Sequence, residues 1–463
     1  MRKRMLGYGI GYIGQGSTYN FMGTYFVVFL TNCAGLSPTL ASAIASVGLF
    51  AEVIAGMIVG NLSDNCTSPM GKRRPFILAA AIAMPVIMIL AMRTIHASTP
   101  VMFAYYLALS ICFRLTFSTF EIPNNAFGAE IAKGYDERTR LRTASRAFSI
   151  MGNALGYVMP LWILDIFPGN QETGWQTIGV IIALFCLGSW LASFSLTKKN
   201  SVVGEKKEKK KGNVIRDILE NYFQLCKLRT MRLLIIYKTA FSCAFAVFNI
   251  GTIYYLQYSL GLDNRYSSYM YLLTIVVFIL MTPLANKMAL TMGKANQQMT
   301  TMAVSAVIGF GVFFMAPRSV IGAAIYVVGF AVMQTSFWQL SSSIFYDIVE
   351  VDEYVNDKRR EGDVMSLVSV LGTLITAVIV QLFGILFDRS GFNPALKTQP
   401  DSAVAFLNTA YILVPSICFV IGFAALKVFP INRKTFGSLI NALKFRREGK
   451  DYSQYMDDVE KLL

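Results

Sequence analysis

The chain has 463 residues, of which 54% are hydrophobic and only 15% charged, with a mean hydropathy of +0.50. Soluble globular domains carry about 25% charged residues, so that class is excluded. A net charge of +15 would suggest nucleic acid in a soluble protein. Here the basic residues fall between apolar runs, where membrane topology accounts for them, and no nucleic-acid partner is expected.

Twelve apolar runs, each near the ~20 residues that cross a bilayer as a helix, predict spans at 6–31, 38–62, 75–95, 100–132, 142–165, 175–197, 231–258, 267–292, 296–316, 319–347, 363–388 and 403–429. The runs are continuous rather than alternating, which excludes a transmembrane barrel. The expected fold is an all-α membrane protein of twelve transmembrane helices in two six-helix halves. No cleavable leader is expected, because Met1-Arg2-Lys3-Arg4 runs straight into the first span. The loops after even-numbered spans hold the cations: Lys72-Arg73-Arg74; Lys133, Arg138, Arg140 and Arg142; the run Lys206 to Lys211; Lys287 and Lys294; Lys358-Arg359-Arg360. The positive-inside rule then puts both termini of this multi-pass protein in the cytoplasm.

Expected organisation is a six-helix half over 1–197, a basic linker over 198–230, a second half over 231–430 and a tail over 431–463. Residues 213–228 can form an amphipathic surface helix. So can the tail, where Leu439, Leu443 and Phe445 stand against Lys444, Arg446 and Arg447. The halves resemble distant repeats: spans two and eight end in Gly71-Lys72 and Gly293-Lys294, and spans four and ten end in acidic clusters. Parallel halves around a midplane cavity are the design of carriers that rock one half against the other.

Charge inside a span is costly, so a retained ionisable group usually faces a polar path. Glu121, Arg114 and Glu52 are such groups, and Lys238 stands inside the seventh span. Gln15, Tyr19, Asn20, Asn124, Asn125, Asn249 and Gln334 are polar groups that either line a cavity or bond between helices. The seven cysteines are scattered without a Cys-x-x-Cys pair and the only histidine is His96, so no disulfide framework, metal site or cofactor is expected. No nucleophile–base constellation or nucleotide loop points to an enzyme.

Several motifs together resemble the glycoside–pentoside–hexuronide:cation symporter family of the major facilitator superfamily. They are Tyr8-Gly9-Ile10-Gly11-Tyr12-Ile13-Gly14, Gly60 with Asp64 followed by Gly71-Lys72-Arg73-Arg74-Pro75, Glu121-Ile122-Pro123, and Glu130 with Asp136-Glu137-Arg138-Thr139-Arg140. Later come Phe337-Trp338, Asp347-Ile348-Val349, Glu353-Tyr354 and Lys358-Arg359-Arg360-Glu361-Gly362. The resemblance covers about residues 6–430. It implies a monomeric secondary carrier of a sugar, glycoside or hexuronide in a bacterial cytoplasmic (inner) membrane. Glu121, Arg146 and Trp338 would contact sugar, with Gln15, Tyr19, Asn124, Asn125, Asn249 and Gln334 lining the path. Glu52, Ser118 and Glu121 would form the cation site. Asp64, Lys72, Arg73, Arg74, Glu130, Arg138 and Asp347 would gate the cytoplasmic side.

The chain also departs from that family. Gly16 and Gly56 stand where relatives carry aspartates, Gln15 replaces a first-span lysine and Val370 an eleventh-span lysine. A sodium site would lack a main ligand. Arg114, seven residues before Glu121 and on the same helix face, can replace sodium electrostatically. The expected co-substrate is then a proton, or none, rather than sodium. The departures leave a second reading open, in which the same fold carries a lysolipid, drug or other amphiphile.

Overall fold

The computed structural model describes residues 2–131, 135–197, 214–315, 318–396 and 398–462. Six long helices come first: α1 (Arg2–Asn32), α2 (Pro38–Asp64), α3 (Arg74–Ala91), α4 (Thr99–Ile131), α5 (Tyr135–Ile166) and α6 (Gln171–Leu196). A shorter helix follows, α7 (Val214–Lys227). Then come α8 (Arg229–Tyr254), α9 (Asn264–Met292), α10 (Lys294–Met315), α11 (Val320–Asn356), α12 (Glu361–Arg389) and a span built from α13 (Asp401–Asn408) and α14 (Val414–Lys427) joined by a π turn. The tail forms α15 (Arg433–Arg447) and α16 (Met456–Glu460).

Each expected span is therefore a helix, and most ends move by only a few residues. The tenth runs on to Asn356, where Asp357 in the left-handed region (φ 53°) stops it. Helix starts follow ordinary capping chemistry. Ser37 accepts from the Leu40 amide with Pro38 in the first turn, Asn170 accepts from Thr173, Ser319 from Gly322, and Asn432 with Thr435 closes a capping box.

Among the described residues eleven helices are long and apolar enough to cross a membrane. α1 is long enough but too polar to be counted with them. The reason lies in its packing: it runs between α5 and α6, so its Ser and Thr residues and most of its glycines meet protein rather than lipid.

The chain divides into two compact units. Unit 1 comprises Met1–Lys209, Asn249–Leu272 and Ala377–Leu407. In it α2 packs on α4, and α3 packs on α4 and α6. A Cβ at Gly152 would lie 2.4 Å from the Ile13 carbonyl oxygen, and one at Gly156 would lie 2.7 Å from that of Ser17, so α5 approaches α1 backbone to backbone. Such small-residue crossings are the common way for helices to pack where lipid gives no hydrophobic drive.

Unit 2 comprises Lys210–Phe248, Leu273–Thr376 and Asn408–Leu463. In it α10 packs on α11 and α14, and α15 packs on α11. The tail helix does not lie free as a surface helix. Leu439 and Leu443 are buried, Arg446 pairs with Asp357 at 2.9 Å and Arg447 pairs with Glu353. The acidic end of α11 draws the arginines, and the short apolar stripe is covered by protein.

Candidate functional site

Unit 1 places a layer of polar side chains in the middle of apolar helices. Arg114, Ser118, Glu121 and Asn125 recur on α4 at steps of four, three and four, which sets them on one face. The α1 face opposite carries Tyr12, Gln15 and Tyr19. Gln15 Nε2 donates to Glu121 Oε1 at 3.0 Å, and Tyr12 donates to Asn125 Oδ1 at 2.8 Å. Arg114 Nη1 donates to Glu52 Oε2 of α2 at 2.6 Å, with both side chains largely out of solvent. The guanidinium also lies 5.5 Å from the centre of the Tyr19 ring, a cation–π distance. Ser118 is buried in the same face. Asn124 points off it and is fully buried; neither of its amide atoms has a hydrogen-bond partner among the described residues.

Gly16 and Gly56 have different surroundings. A Cβ at Gly16 would come within 2.7 Å of Asn153 Oδ1 and 3.1 Å of the Ser149 carbonyl oxygen. A Cβ at Gly56 would meet Ile122 Cδ1 at 3.6 Å. The space beside Gly16 is thus filled by α5, and Gly56 faces an apolar side chain.

Asn153 and Tyr157 were not expected at the site. Asn20 donates to Asn153 Oδ1 at 2.7 Å, and Tyr157 donates to Asn20 Oδ1 at 2.9 Å and to Asn249 Oδ1 at 3.5 Å. Tyr157 also stacks on Tyr271 at 5.3 Å. Arg146, half-buried, shares this face of α5, seven residues before Asn153. Asn153 could have been found as a polar residue within a span. Tyr157 gives no such signal, since tyrosines are common in this chain.

Unit 2 holds Lys238, Gln334 and Trp338. Trp338 is 43% exposed and stands edge-on to Phe241 and Phe245. Gln334, one turn earlier on α11, is buried, and its Oε1 has no partner among the described residues.

The expected gating residues scatter over several contacts. Arg73 pairs with Asp64 at 2.5 Å and donates to Ser63 at 2.7 Å. Arg74 instead donates to the Phe194 carbonyl at 2.8 Å and lies over the Phe194 ring. Lys72 is half-buried. Asp347 accepts from Lys294 at 2.8 and 2.9 Å. The side chains of Glu130 and Arg138 lie outside the described residues.

A stronger pair went unread in the sequence. Arg360 makes a two-pronged bond to the fully buried Asp352, at 2.5 and 2.8 Å, and reaches Gln224 of α7 at 2.7 Å. Two contacts at the other end of unit 1 were also unread. Thr39 donates to Asp388 at 2.5 Å, and Thr31 and Tyr254 share a hydrogen bond at 2.6 Å.

Known proteins match the chain over nearly its whole length. A family model described as MFS/sugar transport protein matches residues 7–433. An uncharacterized symporter of Synechocystis sp. is 23% identical over 96% of both chains. A glucuronide carrier protein homolog of Escherichia coli is 22% identical over 99% of this chain and 98% of its own. The crystal structure of a D-xylose-proton symporter superposes with a TM-score of 0.61 at 15% identity, over 92% of this chain and 96% of that one, a likeness of fold.

Proposed function

The chain belongs to the MFS/sugar transport protein family, and from that membership we propose that it is a secondary carrier that moves a sugar or glycoside across the cytoplasmic membrane by alternating access, without sodium. It works as a monomer with both termini in the cytoplasm. The observation that carries this reading is the polar layer of unit 1, in which Arg114 is already bound to Glu52 at 2.6 Å beside the Gln15–Glu121 pair.

Each part of the layer has a task. Glu121 offers carboxylate oxygens to sugar hydroxyls, and charge-assisted hydrogen bonds are the strong ones. Gln15 orients it. Asn20, Asn153 and Tyr157 supply neutral donors and acceptors. Glu52 is already paired with Arg114, a cation built into the chain, which takes the place of sodium. Glu121 has no cationic partner among the described residues and is the group free to take a proton. Substrate binding shifts the balance between states only as far as it prefers one of them.

Uptake into proteoliposomes tests the reading. A panel of neutral and acidic sugars should include one class that accumulates equally in sodium and potassium buffers and is halted by a protonophore. Strong stimulation by sodium would refute the substitution of Arg114 for the ion. Absence of uptake across the panel, with binding of a lysolipid instead, would refute sugar as cargo.

A further inference from the structure

Within unit 2, α7 is fastened by its polar residues and leaves apolar ones bare. Asn221 donates to Asp363 at 2.8 Å and accepts from Arg360 at 3.2 Å. Tyr222 and Ser366 share a hydrogen bond at 2.6 Å, and Gln224 Oε1 accepts from Arg360 at 2.7 Å. Leu225 is buried. Leu219 and Phe223, by contrast, are 60% and 67% exposed. Together with Lys227 they recur every four residues and form one stripe along the helix. The Lys227 ammonium lies 4.9 Å from the centre of the Phe223 ring, at the basic end of that stripe.

Two bare apolar residues would be ordinary on a protein surface. Their place in the chain is what gives them meaning. Only Leu228 separates α7 from α8, which is long and apolar enough to cross a membrane. So short a joint keeps α7 at the end of a span, at the level of lipid headgroups. An apolar stripe beside basic residues is the make-up of a helix lying in that layer.

A cavity of about 560 Å³ opens at the basic end of the stripe, lined by Gln224, Lys227, Leu228, Val355, Asn356 and Lys358. No carboxylate lines it. The acids close by are already paired: Asp352 with Arg360, Glu353 with Arg359 and Arg447, and Asp357 with Arg446. Among the described residues neither Lys227 nor Lys358 has a carboxylate within ion-pair reach, and both are exposed. Gln224 gives its Oε1 to Arg360, which leaves its amide Nε2 as a further donor. Val355, 41% exposed, extends the apolar surface on the α11 side.

We propose that this corner of unit 2 binds an anionic phospholipid, its phosphate between Lys227 and Lys358 and an acyl chain along Leu219 and Phe223. The proposal does not depend on which solute is carried. A soluble phosphate compound could meet the two lysines but would have no use for the stripe. A zwitterionic lipid brings its own cation and would gain less from them.

Photocrosslinking in nanodiscs tests this on the purified full chain, with a photoactivatable phosphatidylglycerol and the matching phosphatidylcholine. Peptide mapping should find phosphatidylglycerol on the segments 214–228 and 355–358, several-fold above phosphatidylcholine. Lys227→Gln and Lys358→Gln should each lower phosphatidylglycerol labelling there about fivefold, the worth of one lysine beside an anionic surface, and leave phosphatidylcholine labelling unchanged. Lys227→Arg should keep most of the labelling. Phe223→Ser should lower labelling by both lipids, and all four variants should melt like the wild type. Equal labelling by the two lipids in the wild-type chain would overturn the proposal. So would displacement of the label by millimolar inorganic phosphate with Phe223→Ser without effect, which would give the cavity to a soluble phosphate compound.

Discussion

The Arg114–Glu52 pair sets a tight ion pair inside a polar layer of apolar helices. Each partner is mostly withdrawn from solvent, at 8% and 15% exposure. Removing one partner of such a pair strands the other, which typically costs about 3–5 kcal/mol, whereas replacing both is often near neutral. Arg114→Gln should therefore lower the melting temperature and abolish uptake. The double variant Glu52→Gln/Arg114→Gln should recover most of the stability; thermal unfolding in detergent measures both. If the single variant melts like the wild type, the pair carries no such weight. Glu121→Gln keeps the shape of the side chain and its bond to Gln15 but removes the charge. It should abolish accumulation while leaving the fold intact, as read by uptake alongside melting. These residues were legible in the sequence because a charge within an apolar run stands out. Tyr157 was not, and the polar Asn153 gave no hint of its partners, because both meanings lie in which helix faces them.

At the scale of single helices, the apolar runs made all twelve long helices readable, while their packing order was not. α1 is the clearest case. Its sequence reads as a weak span, yet it is the helix against which α5 and α6 pack, and the Gly152–Gly156 crossing sets how close Asn153 comes to Asn20 and Gly16. Enlarging that crossing should propagate to the polar layer. Gly152→Val would drive a side chain into the Ile13 carbonyl, and overpacking typically costs about 1–3 kcal/mol. It should reduce both melting temperature and substrate affinity. Gly188→Ala on α6 meets nothing within 4 Å and should change neither. Binding assays on the two variants separate a specific crossing from a general intolerance of larger residues.

At the scale of the whole carrier, each end must open and close in turn, and the contacts that hold an end shut belong to the cycle as much as the binding residues do. Basic loops and acidic helix ends drew attention to the side expected to be cytoplasmic, because repeated charge is conspicuous in sequence. The opposite end of unit 1 is closed by ordinary residues. Thr39 bonds to Asp388, Ser46 donates to the Ala377 carbonyl at 2.7 Å, and Trp162 donates to Ser268 at 2.8 Å. No pattern in the chain links residues so far apart in sequence. Asp388 supplies the charged acceptor in this seam, so its loss should shift the balance toward opening by about tenfold, the lower end for a charge-assisted bond. A Ser46→Cys reporter in a cysteine-free background reads that shift. Asp388→Ala should raise its labelling rate by a membrane-impermeant maleimide added from outside, and excess substrate should change that rate. An unaltered rate would mean that the Thr39–Asp388 bond is incidental to closure, and that the deeper Ser46–Ala377 contact and its neighbours hold the seam without it.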